Sequence, residues 1–175
     1  WKNDTAAVLW AKHRRECDAD GLTTFEGLQT IVCRTWLLSG ECFGRLRNRR
    51  PSDGLKVPLQ IQLIEPDQLP VWNTRDLPNG NRVVASVEFN PIGKRVAYHV
   101  LRSHPGEWGD TGQVSIVPAG EMVHIFKPER PGQVRGMSTL SPSLMALWDF
   151  HDYDDAERKR KHYEALISLF ITKPE

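Results

Sequence analysis

The sequence lacks the features that mark a membrane-spanning protein or a protein that coats nucleic acid. No long apolar run occurs in its 175 residues and no signal-peptide pattern opens it, so we expect no transmembrane span and no membrane partner. Lysine and arginine total 23 against 22 acidic residues, which leaves a formal net charge of +1. Any contact with DNA must therefore come from local basic patches.

Cysteine is also scarce. The three cysteines, Cys17, Cys33 and Cys42, form no CxxC pair and are odd in number. This usage favours a reduced, intracellular setting over a disulfide framework. We expect each of the three to be a small buried apolar residue, and a reactive nucleophile is the less favoured interpretation.

Catalytic and cofactor fingerprints are missing as well. No Gly-x-Ser-x-Gly, His-Glu-x-x-His or dinucleotide-binding pattern occurs. His151 and His162 cannot share a metal, because about three helical turns, or about 16 Å, would separate them. His124 is expected to be a sheet histidine with satisfied hydrogen bonds rather than a base. We therefore expect no cofactor, no metal site and no enzymatic activity; a hydrolase or nuclease is the weaker hypothesis.

Two helices are predicted at the start of the chain. The first covers residues 1–16, and the second has an apolar stripe that begins at Phe25 and ends at Gly40, a typical C-terminal glycine. The run Thr23-Thr-Phe-Glu26 has the form of a capping box.

The segment Asp18-Ala-Asp-Gly21 invites a calcium interpretation, because EF-hand loops place acidic residues at alternate positions before a glycine. The register fails: with Gly21 at the sixth loop position, Gly27 stands at the twelfth, where glutamate is needed. We therefore predict a tight turn.

From residue 41 the hydrophobic period changes to two, which indicates half-buried antiparallel strands. Asn90-Pro-Ile-Gly93 marks a hairpin turn, and residues 118–121 are expected to join a second strand pair. The predicted fold class is α+β, with a small, mostly antiparallel sheet flanked by N-terminal helices and a long C-terminal helix. The predicted strands are residues 41–46, 57–64, 83–89, 94–101, 114–117 and 122–126.

The most informative run extends from Met122 to Ser138. After a short strand, prolines and glycines prevent regular structure up to Gly136. Glycines let a backbone approach a partner closely and arginines bind anions, which indicates a contact loop for a subunit or for DNA. An ordinary β-to-α connection with solvated arginines is the alternative. The candidate contact residues are Lys127, Arg130, Gly132, Gln133, Arg135 and Gly136.

A long final helix is predicted over residues 142–172, because Ser141 can cap it and a proline occupies its first position. Its middle carries acidic residues followed by basic residues at i,i+4 spacing. This helix and the linker after the first strand each hold a basic patch, interpreted as a solvated face, with DNA or partner contact as the minority interpretation. The patches are Arg47, Arg49 and Arg50, and Arg158, Lys159, Arg160 and Lys161.

The run HIFKPERPGQVRGMS, at residues 124–138, closely resembles a segment of lambda-type tailed-phage portal proteins. In that family a strand ending in His-Ile-Phe is followed by Arg-Pro-Gly-Gln-x-Arg-Gly. Leu59-Gln-Ile-Gln62 and the hairpin from Val87 to Tyr98 are similar too, in the same order. Asn90 stands where we expect aspartate in the family, a conservative exchange at a turn. The resemblance covers nearly the whole chain.

The resemblance implies a structural machine part. Portal proteins form a ring, usually a dodecamer, at one capsid vertex, through which terminase drives double-stranded DNA without sequence specificity and through which the DNA later leaves. The ring also contacts capsid and head-completion proteins. The sheet and flanking helices would correspond to the wing, and the final helix would lead toward the stem. The implied location is the virion capsid vertex, with assembly in the host cytoplasm, and the source is a phage or a prophage.

The chain starts at Trp1 and stops at Glu175, directly after an apolar segment, so we expect a piece excised from a longer polypeptide. Its expected organisation is a helical segment over 1–40, a β-rich region with the contact loop over 41–137 and a long helix over 138–175, forming one structural unit. Two further function classes stay open. One is a small nucleic-acid-binding or head-tail connector module, and the other is a phage hydrolase.

Overall fold

A computed structural model describes residues 4–106 and 112–166, and the chain divides into two compact units, Trp1–Thr139 and Leu140–Glu175. In the described part, the first unit contains two α-helices and eight strands, and the second contains one long α-helix. The mixed α+β class predicted from the sequence is confirmed. The helices are α1 (Asp4–Glu16), α2 (Phe25–Ser39) and α3 (Leu144–Leu166), and the strands are β1 (Glu41–Asn48), β2 (Leu59–Ile64), β3 (Arg75–Asp76), β4 (Arg82–Val84), β5 (Val87–Phe89), β6 (Arg95–Leu101), β7 (Val114–Pro118) and β8 (Met122–Phe126).

Helix α2 buries the predicted stripe and ends as expected. Leu28 is buried and Phe25 is half-buried on the same side of the helix. Gly40 takes a left-handed conformation with φ 85°, and its N–H donates to the Trp36 carbonyl. A Cβ at Gly40 would overlap with the Met137 backbone, so only glycine fits this position.

The capping box predicted over Thr23 to Glu26 does not form. The helix begins one residue later than expected, so Thr24 occupies the N-cap, where its side chain makes no capping hydrogen bond. The Glu26 carboxylate forms a 2.8 Å ion pair with Arg14 of α1 and also hydrogen-bonds to its own backbone N–H and to the Thr24 side chain. Glu26 therefore links α1 to the start of α2.

The tight turn predicted after α1 forms around one carboxylate. Asp18 is buried, and its carboxylate accepts the N–H groups of Asp20, Leu22 and Thr23 at 2.9–3.1 Å. These bonds explain why an acidic residue stands at this position.

Two of the three cysteines are buried, whereas all three were expected to be. Cys17 and Cys42 are buried, and burial raises the pKa of both thiols, that of Cys42 to about 11. Cys33 is exposed, because it lies beside the apolar stripe of α2 rather than within it. The expectation of a buried Cys33 is therefore wrong.

The strands form two antiparallel sheets. One has the order β2-β1-β8 and the other the order β3-β4-β5-β6-β7. Their facing sides meet in a core in which the rings of Phe43 and Tyr98 lie edge to face, with centroids 6.0 Å apart. Burying one such side chain stabilises a fold by about 1.5–3 kcal/mol. The core consists of Phe43, Ile64, Leu69, Val87, Tyr98, Val100, Val117 and Met122.

The strand predicted over residues 83–89 is two strands. The chain reverses at Ala85 and Ser86, which have φ angles of 48° and 68°. This strained conformation is held by tertiary bonds: the Ser86 hydroxyl donates to the Pro70 carbonyl at 2.8 Å, and the Ser86 N–H donates to Asn73 at 2.9 Å.

The strand pair predicted across residues 118–121 is also wrong. β7 pairs with β6, whereas β8 pairs with β1 in the other sheet. Residues Ala119–Glu121 form a short 3-10 turn that carries the chain from one sheet to the other. Consecutive strands are thus separated so that β8 can place Met122 in the shared core.

In the second unit, residues Ser141–Ser143 form a 3-10 turn, so α3 begins two residues after the predicted start. The predicted end at residue 172 lies outside the described residues. Arg158 and Asp154 form the expected i,i+4 ion pair at 2.7 Å. Apolar side chains such as Met145 and Trp148 are exposed in the described part of this helix.

Candidate functional site

The loop after β8 has an exposed half and an anchored half. Residues 127–132 are exposed, and residues 133–136 are half-buried. Of the candidate contact residues, Lys127, Arg130 and Gly132 therefore lie on the exposed half, whereas Gln133, Arg135 and Gly136 lie on the anchored half.

Arg135 is the main anchor of the loop. Its side chain is 11% exposed and pairs with the Glu41 carboxylate, with Nε 2.7 Å from Oε1. The same guanidinium donates to the carbonyls of Leu69 at 2.7 Å, Ala85 at 2.9 Å and Pro66 at 3.2 Å. One side chain thus joins the loop to the start of β1, to the segment after β2 and to the β4–β5 turn.

Glu41 is the anionic centre of this arrangement. Its side chain is 4% exposed, and Oε2 accepts the Gly136 N–H at 2.6 Å and lies 2.9 Å from Nε2 of His124. Burial alone would raise the pKa of the Glu41 carboxyl, but hydrogen bonds from His124 and Arg135 and the charge of Arg135 lower it overall. The carboxylate is therefore ionised and fully hydrogen-bonded inside the protein.

His124 connects Glu41 to a second arginine. Its ring stacks on Phe43 with centroids 4.3 Å apart, and Nδ1 lies 3.0 Å from a guanidinium nitrogen of Arg95. A neutral imidazole with its proton on Nε2 satisfies both contacts, since it donates to Glu41 and accepts from Arg95. Burial lowers the pKa of His124, as do the charges of Arg95 and Arg135, and this outweighs the raising effect of Glu41. His124 is the satisfied sheet histidine that the sequence predicts.

Arg95 holds the loop from the β6 side. It donates to the carbonyls of Gln133 and Val134 at 3.1 and 3.2 Å, and its guanidinium lies 5.2 Å from the Phe126 ring centroid. The guanidinium plane is thus used both for cation–π contact and for hydrogen bonds.

Gln133 shapes the exposed half of the loop. Its side-chain oxygen accepts the N–H groups of Glu129 at 2.7 Å and Arg130 at 3.3 Å, and its side-chain nitrogen donates to the Arg135 carbonyl at 2.9 Å. Gly132, with φ 73°, makes the tight reversal between them possible.

Gly136 is required by close packing. A Cβ at this position would overlap with the Gly40 carbonyl and with the side chain of Glu41. The loop backbone therefore passes directly against the start of β1, so the glycine permits an internal close approach.

The basic patches are partly used within the fold. Arg47 of β1 and Arg49, just after β1, donate to the side-chain oxygens of Gln62 and Gln60 at 2.7 and 2.8 Å. The Arg50 N–H donates to Asp53 at 2.9 Å. On α3, Arg158 and Arg160 are in ion pairs with neighbouring acids, and Lys159 and Lys161 are exposed.

The sequence patterns did not predict a site role for two residues of the network, Glu41 and Arg95. Glu41 follows a helix-ending glycine and precedes the apolar pair Cys42-Phe43, and a buried acid beside such residues signals a cationic partner. Arg95 offers no comparable signal, because its role depends on the pairing of β6 with its neighbours.

Among residues 4–106 and 112–166, no group of three or more histidine, cysteine or acidic side chains is arranged to hold a metal ion. In the same described ranges, no helix is long and apolar enough to cross a bilayer. The arrangement around Glu41 is thus a buried hydrogen-bonded ion-pair network that fixes a loop.

Comparison with known proteins identifies the family to which the chain belongs and one relative within it. The model of the family described as "Phage portal protein, lambda family" matches residues 2–175, so the chain belongs to this family. Among individual proteins, the chain is 32% identical over 151 residues to the "Probable portal protein" of Halomonas phage phiHAP-1. The match covers 85% of this chain and 28% of that protein, so the chain spans little more than a quarter of its relative's length. The resemblance inferred from the sequence is confirmed.

Proposed function

We propose that the chain forms part of a portal subunit, in a ring at the capsid vertex through which double-stranded DNA is packaged and ejected. The observation that carries this proposal is the match to the portal family along residues 2–175. The proposed role is structural, because the side chains around Glu41 use their hydrogen bonds to hold a loop in place.

The proposed partners follow from that role. They are further copies of the same protein in a ring, dodecameric for the full-length protein, together with terminase, capsid and head-completion proteins and the passing DNA. The near-neutral charge of the chain agrees with a conduit, because dense phosphate contacts would retard the moving duplex. The proposed location is the virion capsid vertex, reached after assembly in the host cytoplasm.

Within the subunit, we assign the contact role to the exposed half of the loop. Arg135, Gln133 and Gly136 hold the loop, so that Lys127 and Arg130 are presented to a neighbouring subunit or to DNA in one fixed geometry. A preorganised loop loses less conformational entropy on binding than a mobile one. The helical segment 1–40, the β-rich region 41–137 and the long helix 138–175 would then serve as parts of one subunit.

The test uses the longer parent protein with Lys127→Glu and Arg130→Glu combined. We expect the parent to form rings with a central hole in negative-stain images, and the double variant to lower ring yield or phage titre at least about tenfold. The reason is that both side chains are exposed, so their loss removes contacts without disturbing the core.

The matched control is Lys94→Glu, an exposed charge reversal in the Asn90–Lys94 turn. Normal phage titre from the loop variant would contradict the proposed contact role. A parent protein that stays monomeric at every salt concentration would contradict the proposed ring. The second result would favour a nucleic-acid-binding or head-tail connector module. The cluster of arginines at and just after the end of β1 is the observation in favour of that alternative.

A further inference from the structure

The inner face of the first sheet changes from apolar to basic along β1. Phe43, Arg45 and Arg47 point to the same side of this strand, because side chains alternate with a period of two. Phe43 lies in the shared core, but Arg45 and Arg47, two and four residues further on, face the partly open end between the two sheets. Arginines therefore occupy positions where the pattern would otherwise continue the core.

These arginines line a pocket of about 180 Å³. Arg102, the residue after β6, lines it from the side of the second sheet, so three arginines line one pocket. The rest of the lining is polar at Gln62, Gln68 and Ser115 and apolar at Ile64, Val100 and Leu101.

Positive charge in this pocket exceeds the negative charge near it. The acidic neighbours among the described residues are Glu121, whose carboxylate is 3.8 Å from Arg45, and Asp20; both attract the charge of Arg47. Burial lowers the pKa of Arg47, followed by repulsion from Arg45 and Arg49. Among the described residues, the side chains that accept hydrogen bonds from Arg47 and Arg102 are the neutral Gln62 and Gln113.

One donor of a pocket-lining arginine has no acceptor among the described residues. Nε of Arg45 is buried and makes no hydrogen bond to any of them. A buried donor without a partner is unfavourable, and native proteins satisfy nearly all such groups with protein, water or an ion. The Arg45 guanidinium therefore lacks one acceptor at Nε, while another of its nitrogens lies 3.8 Å from the Glu121 carboxylate.

We propose that this pocket binds a phosphate-type oxyanion. Three arginines around one pocket suit the charge and the tetrahedral oxygens of phosphate, whereas a single carboxylate is matched by one arginine. The phosphate can come from two sources, free inorganic phosphate or the phosphodiester backbone of a nucleic acid. The proposal concerns the first unit alone and does not depend on the portal role.

The test titrates the purified chain with inorganic phosphate and follows its melting temperature and binding heat, with sodium chloride at matched ionic strength as the reference. Saturable stabilisation by phosphate beyond that of chloride is expected. Arg45→Gln and Arg47→Gln should each weaken phosphate binding about tenfold or more, because each removes a charge-assisted hydrogen bond. Arg75→Gln, at an exposed position of β3, is the matched control and should bind phosphate like the unchanged chain.

Arg102→Gln guards against variants that fail to fold, because Arg102 is exposed and lies at the mouth of the pocket. It should keep the circular dichroism spectrum of the unchanged chain and still weaken phosphate binding. A phosphate effect no larger than that of chloride would overturn the proposal. Equal weakening in Arg75→Gln would overturn it as well, because the effect would then belong to general surface charge.

A second titration distinguishes the two sources of phosphate. A short fluorescent DNA duplex is titrated with the chain, and its anisotropy is recorded for the same variants. If Arg45→Gln and Arg102→Gln weaken duplex binding in parallel with phosphate binding, the ligand is a nucleic-acid backbone. If they abolish phosphate binding and leave duplex affinity unchanged, the ligand is free phosphate. Both results support an oxyanion pocket.

Discussion

At the scale of single residues, Glu41 is the centre of the first unit. Its carboxylate meets Arg135, His124 and the Gly136 N–H, which come from β8 and from the loop after it. Removing one member of a buried ion pair leaves the other charge without compensation, and this costs more than the pair itself contributes. The loop geometry therefore depends on a residue far from it in sequence.

We expect Glu41→Gln to lower the free energy of unfolding by about 3 kcal/mol or more, because it leaves the Arg135 guanidinium buried without its anion. Urea unfolding of the purified chain measures this loss. Glu121→Gln is the control, since Glu121 is more exposed and its ion pair with Arg45 is long at 3.8 Å, so it should change stability by less than about 0.5 kcal/mol. Equal effects from the two variants would contradict the importance of the network.

The same network makes stability depend on pH. The pKa of His124 is lowered on folding, mainly by burial, so the unfolded chain binds the proton more readily than the folded chain. The contribution of His124 to the free energy of unfolding is then fully present above the ordinary histidine pKa of about 6.5. It is lost as pH falls below that value. The lowered pKa values of Glu41 and Glu88 add a further loss below the ordinary glutamate pKa of about 4.3.

His124→Gln should reduce the loss of stability between about pH 6.5 and pH 5, because glutamine can donate to Glu41 but takes up no proton. Urea unfolding at several pH values in this window measures the slope. His104→Gln is the control, since His104 is a partly exposed histidine paired with Glu65. An unchanged slope in His124→Gln would show that the pH dependence has another origin.

At the scale of helices and strands, the sequence was sufficient to predict those features that do not depend on residues distant in the chain. The stripe of α2 and the terminating Gly40 follow from periodicity and from the preference of glycine for a left-handed end. The alternation in β7 and β8 predicted that both are strands. It could not predict their partners, because alternation reports which side of a strand is buried and not which strand lies beside it.

The break between β4 and β5 shows the same limit. The run Val83-Val-Ala-Ser-Val87 contains no glycine, asparagine or proline, the residues that usually mark a hairpin turn. The turn exists because Pro70 and Asn73 bind Ser86 from a distant segment. A turn held by tertiary contacts leaves no local signal.

We expect Ala85→Gly to preserve or raise the free energy of unfolding, by up to about 1 kcal/mol, since glycine removes the strain of a residue with φ 48°. Chemical unfolding measures the change. Ala97→Gly provides the comparison: Ala97 lies in the regular strand β6, so the same substitution should destabilise by about 1 kcal/mol. A loss at Ala85 as large as at Ala97 would mean that the turn tolerates its φ angle without strain.

At the scale of the whole molecule, the sequence predicted the family, the α+β class and the loop, because a long ungapped motif is specific. It did not predict that Arg135 and Gly136 are turned inward, since their types suit an anion contact and a buried ion pair equally well. The family match extends along the chain, but the known relative is more than three times longer than the matched region. Ring formation must therefore be tested on the parent.

The position of Arg135 has a further consequence for the order of folding. Its guanidinium bonds to Glu41, Pro66, Leu69 and Ala85, which are 94, 69, 66 and 50 residues away along the chain. Contacts at such separations require large loops to close, so they form after the local strand pairs. The exposed end of the loop then takes its final shape only on a completed first unit. A partly synthesised or misfolded chain would lack the fixed loop, so the contact surface proposed for Lys127 and Arg130 would form only on a completed first unit.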